Sequence, residues 1–178
     1  MTRRTKKKIS ELEGKLEKLS NVVGLMSLKE AVYNAPLTVK IKYFDKEITK
    51  LEKVEKGDWI DLRSAETVKL KKGETRLIKL GVGMILPKGY EANVVARSST
   101  LKNWGVIQGN CYGVIDNSFN GDGDEWLMPV YAIKDTVINK NDRVCQFRLN
   151  KIQPKIHFEE VQKLKDKDRG SFGSTGTK

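Results

Sequence analysis

The sequence is poor in the residues that mark a metal centre, a disulfide framework or a histidine-dependent triad. Its 178 residues include one histidine and two cysteines. Cys111 and Cys145 fit no zinc motif and are too few for a disulfide framework, which favours a reducing cytoplasm. A catalytic triad could form only around His157, which we expect to be a structural residue on a strand. An enzyme of this composition would therefore use a carboxylate as its general base.

Long apolar runs are also missing. No stretch approaches the roughly 18 consecutive apolar residues that a membrane-spanning helix needs. No apolar secretory core follows the basic N-terminus, so we expect neither a membrane association nor export. Acidic residues are in deficit, because 34 Lys and Arg stand against 23 Asp and Glu, which gives a net charge of +11. This excess is typical of a nucleic-acid-binding protein or of a protein that handles a small polyanion.

Residues 1–36 differ in pattern from the rest of the chain. They begin with a basic cluster at residues 3–8, which is followed by apolar residues at heptad a and d positions. The apolar positions are Ile9, Leu12, Leu16, Leu19, Val23 and Met26. We predict a helical extension, and an isolated helix of this length is marginal in water. It therefore needs a partner, which is either other copies of itself, the body of the protein, or an unknown protein or nucleic acid.

Residues 37–165 predict an all-β domain of the sandwich or barrel type. Strand-like runs recur with turn signals every 8 to 12 residues or so. The predicted strands cover residues 39–43, 68–71, 76–80, 83–86, 91–96, 105–108, 113–115, 127–133, 143–149 and 155–161. Residues 166–178 are rich in glycine and hydroxyl residues, which is typical of a mobile arm.

Five segments carry the polar residues suited to phosphate or nucleotide chemistry. They are Asp61-Leu62, Arg97-Ser98-Ser99, Gly113-Val114-Ile115-Asp116 with Gly121, Asp142-Arg143-Val144-Cys145-Gln146, and Arg169-Gly170 with Gly173-Ser174-Thr175-Gly176. Their order and spacing resemble the five motifs of the homotrimeric dUTPases of the bacteriophage and bacterial type. The resemblance runs from about Leu37 to the C-terminus, and residues 1–36 lie outside it.

The resemblance implies an all-β, jelly-roll-like (β-clip) fold and a homotrimer with active sites shared between subunits. It implies Mg²⁺-dependent hydrolysis of dUTP to dUMP and pyrophosphate, which keeps uracil out of DNA and supplies dUMP for dTMP synthesis. Asp116 matches the aspartate that activates the attacking water. Asp61 matches the aspartate near the phosphates and the metal, where it would reach Mg²⁺ through water.

The resemblance also assigns a set of substrate-binding residues. The implied set is Arg97, Ser98, Ser99, Asn110, Gly113, Ile115, Phe119, Gln146, Arg169, Phe172, Gly173, Ser174 and Thr175. Within it, Arg97 and Ser98 match the pair that binds phosphate oxygens. Phe119 matches the aromatic residue that stacks on the deoxyribose, and the members after residue 166 match the arm that closes over the nucleotide.

The sequence departs from the family pattern in each of these regions. Ala96 and Ser99 stand where the family usually has proline and glycine, and Phe119 stands where it usually has tyrosine. Ser118 replaces a common acid, and the arm is shorter between Arg169 and Phe172.

Two alternative functions stay open at this point. The first is a dCTP deaminase of the same superfamily, in which a glutamate on the following strand is needed. Here the strand at residues 127–132 has no acid, although Glu125 lies just before it. The second is a nucleic-acid-binding or regulatory protein on this scaffold, which would use the basic cluster and the heptads of residues 1–36.

Overall fold

A computed structural model gives the fold of residues 3–53, 55–165, 167, 168 and 170. The described part contains a long N-terminal helix, eleven strands and one short helix. The elements are α1 (Arg3–Asn34), β1 (Lys40–Tyr43), β2 (Ile60–Arg63), β3 (Val68–Leu70), β4 (Thr75–Lys79), β5 (Val82–Ile85), β6 (Tyr90–Ala96), α2 (Thr100–Trp104), β7 (Val106–Gln108), β8 (Gly113–Ile115), β9 (Leu127–Ala132), β10 (Thr136–Ile138) and β11 (Arg143–Lys151). The prediction of an all-β body is confirmed.

The strands form four antiparallel sheets. The largest has the strand order β2-β11-β6-β8, and a three-stranded sheet has the order β4-β9-β7. Two short ladders, β1-β5 and β10-β3, complete the body. The core is apolar and centres on Trp126, whose ring meets Phe147 edge-on at 5.3 Å between centroids. Burial of such aromatic and aliphatic side chains is the dominant favourable term in folding.

The four-stranded sheet has one apolar and one polar face. Leu62, Cys145 and Phe147 alternate inward along β2 and β11 and are buried. Because successive side chains of a strand point to opposite faces, Asp61 and Gln146 lie together on the other face. Their strands thus place polar side chains beside one another without disturbing the core.

Four segments differ from the sequence-based expectation. The strands β2 and β10 and the five-residue helix α2 were not predicted. Conversely, the predicted strand at residues 155–161 is not observed, and His157 is exposed there rather than held in a sheet. The physical reason is that a strand needs a hydrogen-bonded neighbour, and no described strand runs beside this segment.

The helix α1 spans 32 residues and confirms the predicted helical extension. Each of its described side chains, at Lys8 and at residues 11–26, is exposed. That stretch is therefore not packed on the body of its own chain. In the part of the chain that the structure describes, no helix is both long and apolar enough to cross a membrane.

Candidate active site

A carboxylate with two guanidinium partners lies where β2, β6 and β11 meet. One Asp61 oxygen, Oδ1, pairs with Arg97 Nε at 2.6 Å, and the other, Oδ2, pairs with Arg143 Nη1 at 3.1 Å. Gln146 is the direct neighbour of Asp61 in the register of β11 and β2. Asp61 and Arg97 are each about one-fifth exposed, so the pair is only partly screened by water. We call Asp61, Arg97, Arg143 and Gln146 the arginine cluster.

A buried threonine holds the loop that carries Arg97. The Thr100 hydroxyl accepts a hydrogen bond from the Arg97 N–H at 3.0 Å and donates one to the Val144 carbonyl at 2.8 Å. Val144 lies at a β-bulge, where the register between β11 and β2 shifts, so its carbonyl needs a partner outside the ladder. In the same loop Ser98 is exposed and Ser99 is half-buried.

The buried thiol of Cys145, beside the arginine cluster, is unreactive. Burial raises the pKa of Cys145 far above its ordinary value, and the negative charge of Asp61 adds to the effect. Cys145 therefore stays a neutral thiol and is no candidate nucleophile, because the thiolate is the reactive form.

A cavity of about 340 Å³ lies between the β7–β8 hairpin, the loop after β8 and strand β9. Its lining includes the predicted residues Asn110, Gly113, Ile115, Asp116 and Phe119. Further lining residues are Val94, Gln108, Val114, Ser118, Glu125, Trp126, Leu127, Met128 and Pro129. This volume suits a small organic ligand. We call this cavity the hairpin pocket.

Backbone and amide groups give the hairpin pocket its shape. Gln108 Nε2 donates to the Val94 carbonyl at 3.0 Å and to Asn110 Oδ1 at 2.9 Å, which ties the hairpin to β6. Gly113 is buried against Val94, and a Cβ there would lie 3.2 Å from Val94 Cβ. Cys111 takes a φ of 54° at the exposed tip of the hairpin, in the left-handed region.

Asp116 lies at the end of β8, where its carboxylate is held by Ser118. Oδ1 accepts the Ser118 backbone N–H at 2.7 Å and the Ser118 hydroxyl at 2.5 Å. These bonds favour the charged form, so the Ser118 hydroxyl and then its N–H lower the pKa of Asp116 below the ordinary value. Asp116 is consequently an ionised acceptor at neutral pH, and a backbone hydrogen bond from Phe119 adds to the lowering of its pKa.

The register separates the hairpin pocket from the arginine cluster within one chain. Ile115 pairs with Ala92, so Asp116 follows next to Glu91, whereas Arg97 follows the opposite end of β6. Six residues of strand separate Glu91 from Arg97, which at about 3.3 Å per residue is roughly 20 Å. A single chain therefore does not bring Asp116 and Arg97 together.

The predicted site residues thus fall into three groups. Asn110, Gly113, Ile115, Asp116 and Phe119 share the hairpin pocket. Asp61, Arg97 and Gln146 share the polar face of the large sheet, with Ser98 and Ser99 in the adjoining loop. The predicted residues Arg169, Phe172, Gly173, Ser174 and Thr175 lie outside the described residues.

Sequence reasoning missed Arg143 and Gln108. Arg143 lies in the segment Asp142–Gln146 that carries the fourth motif, so an arginine beside the predicted Gln146 was an available signal. No sequence signal pointed to Gln108, because its role depends on tertiary contacts with Val94 and Asn110.

The donors present fit a magnesium ion that arrives with phosphates. Among the described residues no group of three or more His, Cys, Asp or Glu side chains could hold a metal by itself. Mg²⁺, however, is usually bound through one or two carboxylates, water and substrate phosphates rather than by an all-protein cage. Asp61 supplies one such carboxylate beside two guanidinium groups.

Together, the fold, the hairpin pocket and the arginine cluster define a jelly-roll-like β protein with a pocket for a small ligand and a separate site suited to anions. A family model described as dUTPase matches residues 53–177. The chain belongs to the dUTPase family.

Curated relatives agree with this assignment. The SPbeta prophage-derived deoxyuridine 5'-triphosphate nucleotidohydrolase of Bacillus subtilis is 57% identical over 142 residues, which cover 80% of this chain and 100% of the relative. The deoxyuridine 5'-triphosphate nucleotidohydrolase of Streptomyces avermitilis is 32% identical, covering 80% of this chain and 82% of the relative.

Two phage structures share the fold. A Staphylococcus bacteriophage 80alpha dUTPase, solved with dUpNHpp, has a TM-score of 0.64 at 22% identity and covers 78% of this chain and 98% of its own. The dUTPase of Staphylococcus aureus phage phi11, which coordinates a structural Mg(II) ion, has a TM-score of 0.62 at 18% identity. The match covers 71% of this chain and 97% of the phage protein.

Proposed function

We propose that the protein hydrolyses dUTP to dUMP and pyrophosphate, with Asp116 activating the water that attacks the α-phosphate. The observation that carries this proposal is the ionised Asp116 at the hairpin pocket, whose Oδ1 is fixed by the N–H and the hydroxyl of Ser118. A carboxylate positioned in this way can accept a proton from water in the transition state. Membership of the dUTPase family supports the same reaction.

The hairpin pocket is proposed to bind the deoxyuridine end. Backbone groups around Asn110, Gly113 and Ile115 would read the Watson–Crick edge of uracil. Cytosine would leave a buried polar group without a partner, which costs about 1–3 kcal/mol. Phe119, at the rim of the pocket, would lie flat against the deoxyribose and exclude a ribose 2′-hydroxyl sterically.

The arginine cluster is proposed to bind the phosphates. Arg97, Ser98, Ser99 and Gln146 would contact the phosphate oxygens, since a guanidinium matches phosphate geometry. Asp61 would hold Mg²⁺ through water. When bound, the ion would neutralise charge on the phosphate oxygens, while Arg97 supplies further positive charge at the same place.

A complete site is proposed to need more than one copy of the chain. In a homotrimer, the hairpin pocket of one chain would meet the arginine cluster of the next. This arrangement is proposed because the two sites lie roughly 20 Å apart along β6 within one chain, and the reaction would use both. We also propose that the chain is organised as a helical extension at residues 1–36, a β domain at residues 37–165 and an arm at residues 166–178. Residues 166–178, which include Arg169, Phe172, Gly173, Ser174 and Thr175, would act as the closing arm.

The deaminase alternative is disfavoured by the environment of Glu125. One oxygen of its carboxylate, Oε1, accepts the Gly81 N–H at 2.9 Å, where Gly81 takes a positive φ of 67° between β4 and β5. Glu125 therefore stabilises the turn between β4 and β5, where glycine adopts the positive φ without strain, and β9 itself carries no acid.

A substrate panel tests the reaction. The protein is incubated with dUTP, dCTP, UTP and dTTP in the presence of Mg²⁺, and pyrophosphate and ammonia are measured. Pyrophosphate from dUTP alone is expected. Ammonia from dCTP would replace the proposal with the deaminase, and salt-sensitive DNA binding without turnover would replace it with the nucleic-acid alternative.

Subunit complementation tests the shared site. Asp116→Asn and Arg97→Gln chains are each expected to be inactive as pure trimers. In a mixed trimer, one interface always joins an intact Asp116 to an intact Arg97, so activity should return on co-assembly. No recovery in trimers shown to be mixed would contradict the shared site, because both residues would then have to come from one chain.

A further inference from the structure

The helix α1 presents an apolar stripe that no described residue of its own chain covers. The exposed fractions are 58% for Leu12, 71% for Leu16, 62% for Leu19 and 65% for Met26. These residues, with Ile9 and Val23, follow the heptad spacing of a coiled coil. An exposed contiguous apolar stripe of this kind marks an interaction surface.

We propose that α1 forms a parallel coiled coil with α1 of the other two copies in the trimer. This inference rests on the trimer of the proposed function, and it assigns residues 9–26 as the seam. The occupant of the stripe is thus the same stripe on a second and third copy. The a/d residues of one helix are matched by the a/d residues of another, since each apolar side chain fits between four residues of the facing helix.

Charges beside the seam favour the parallel arrangement. Lys8 occupies a g position and Glu13 the next e position, five residues later. In a parallel coil, g of one helix faces the following e of its neighbour, so Lys8 would meet Glu13 of a second copy. An antiparallel coil would place g against g, and Lys8 and Lys15 are both at g positions.

The two glycines of the helix do not interrupt the seam. Gly14 falls at an f position and Gly24 at a b position, both on the outer side of the coil. Apart from the adjacent backbone of the helix itself, nothing in the described part of the chain crowds either position. They therefore weaken the isolated helix, as glycine does in any helix, while the contact surface stays continuous.

Tethering explains how so short a seam can assemble. About two and a half heptads are marginal for a free helix. Only residues 35–39 separate α1 from β1, and a segment of that length spans at most about 18 Å when fully extended. A trimeric body would therefore hold three helices at a high effective concentration, which favours their association without any further contact.

Disulfide trapping tests the seam and its direction. Leu12→Cys and Asn21→Cys are made in a Cys111→Ser parent, because Cys111 is the exposed thiol and Cys145 is buried. Leu12 is at a d position, and Asn21, also exposed, is at an f position on the outer side. Each protein is oxidised with copper phenanthroline and resolved on a denaturing gel, while light scattering gives its mass and dUTP turnover is compared with the parent.

Rapid formation of covalent dimers by the Leu12→Cys protein, within a three-chain complex, is expected, with only slow cross-linking of Asn21→Cys. Equal rates at the two positions would overturn the proposal. A complex of two chains would overturn the three-copy coil. A trimer that turns over dUTP but does not cross-link at position 12 would overturn the coil and leave the proposed reaction standing.

Discussion

Thr100 offers a sharp test of how the loop that carries Arg97 is held. The side chain is fully buried, and its hydroxyl joins the Arg97 N–H at 3.0 Å to the Val144 carbonyl at 2.8 Å. In Thr100→Val both backbone groups lose this partner. The Val144 carbonyl lies in a buried bulge that water does not reach, so the loss is not compensated by solvent.

The expected cost follows from these two groups. A buried polar group left without a partner costs about 1–3 kcal/mol, and the Arg97 N–H is only half-buried and adds less. We expect the free energy of unfolding to fall by about 2 kcal/mol, which corresponds to a Tm lower by about 4–8 °C for a chain of this size. Because the loop also positions Arg97, KM for the nucleotide should rise.

Urea unfolding and steady-state kinetics at one fixed protein concentration provide the assay, since the stability of an oligomer depends on concentration. Thr100→Ser is the matched control, because it keeps the hydroxyl and removes only a methyl group. Its KM should stay near that of the parent. If Thr100→Val were as stable as Thr100→Ser, with an unchanged KM, the hydroxyl bridge would not hold the loop and the reasoning would be refuted.

Three further predictions concern Asp116, Ser118 and the C-terminal segment. Asp116→Asn should keep nucleotide binding, measured by calorimetry with a non-hydrolysable analogue, and lose turnover by about 10²–10⁴-fold; turnover near that of the parent would exclude Asp116 as the base. Ser118→Ala should raise the pKa of Asp116 toward its ordinary value, because the hydroxyl is the largest cause of its lowering. Under the proposed function, activity needs the ionised carboxylate and is lost as the pH falls through its pKa, so the acid limb of the kcat/KM profile should move to higher pH; an unmoved limb would separate Ser118 from the base. Deleting residues 168–178 should lower activity and leave the thermal unfolding of the body unchanged, and full activity after the deletion would remove the arm from the site.

Several strands were predicted to within one residue of their observed bounds. Two of them, β1 and β3, alternate with a period of two in the sequence, and β8 was predicted at its observed bounds. β2 was missed because Asp61 and Arg63 place charged groups in a four-residue strand, directly after a turn. The segment at residues 155–161 shows the opposite error, since alternation in sequence cannot supply the neighbouring strand that a sheet requires.

The candidate site was predictable in composition and not in arrangement. Motif order is the basis on which Asp116, Phe119 and Arg97 are proposed, because each lies in a short segment of sequence that matches the family pattern. The hydrogen bonds of Gln108 to Val94 and Asn110 depend on strand pairing, which the sequence does not reveal. The same holds for the distance between Asp116 and Arg97, which became visible only through the antiparallel register of β6 and β8.

Under the proposed function, the pairing within the arginine cluster suits a site that binds phosphate and keeps its arginines aligned without a ligand. The Asp61 carboxylate pairs with Nε of Arg97 and with Nη1 of Arg143. The Arg97 Nη1 also donates to the Arg143 carbonyl at 3.4 Å. A guanidinium has five N–H donors, so these contacts fix its plane and leave other donors for a ligand. Partly exposed ion pairs contribute little stability of their own, which means that Asp61 acts mainly by orientation. Under the proposed function, removing Asp61 would leave both arginines charged but unaligned, and orientation rather than charge is what a bidentate phosphate contact requires.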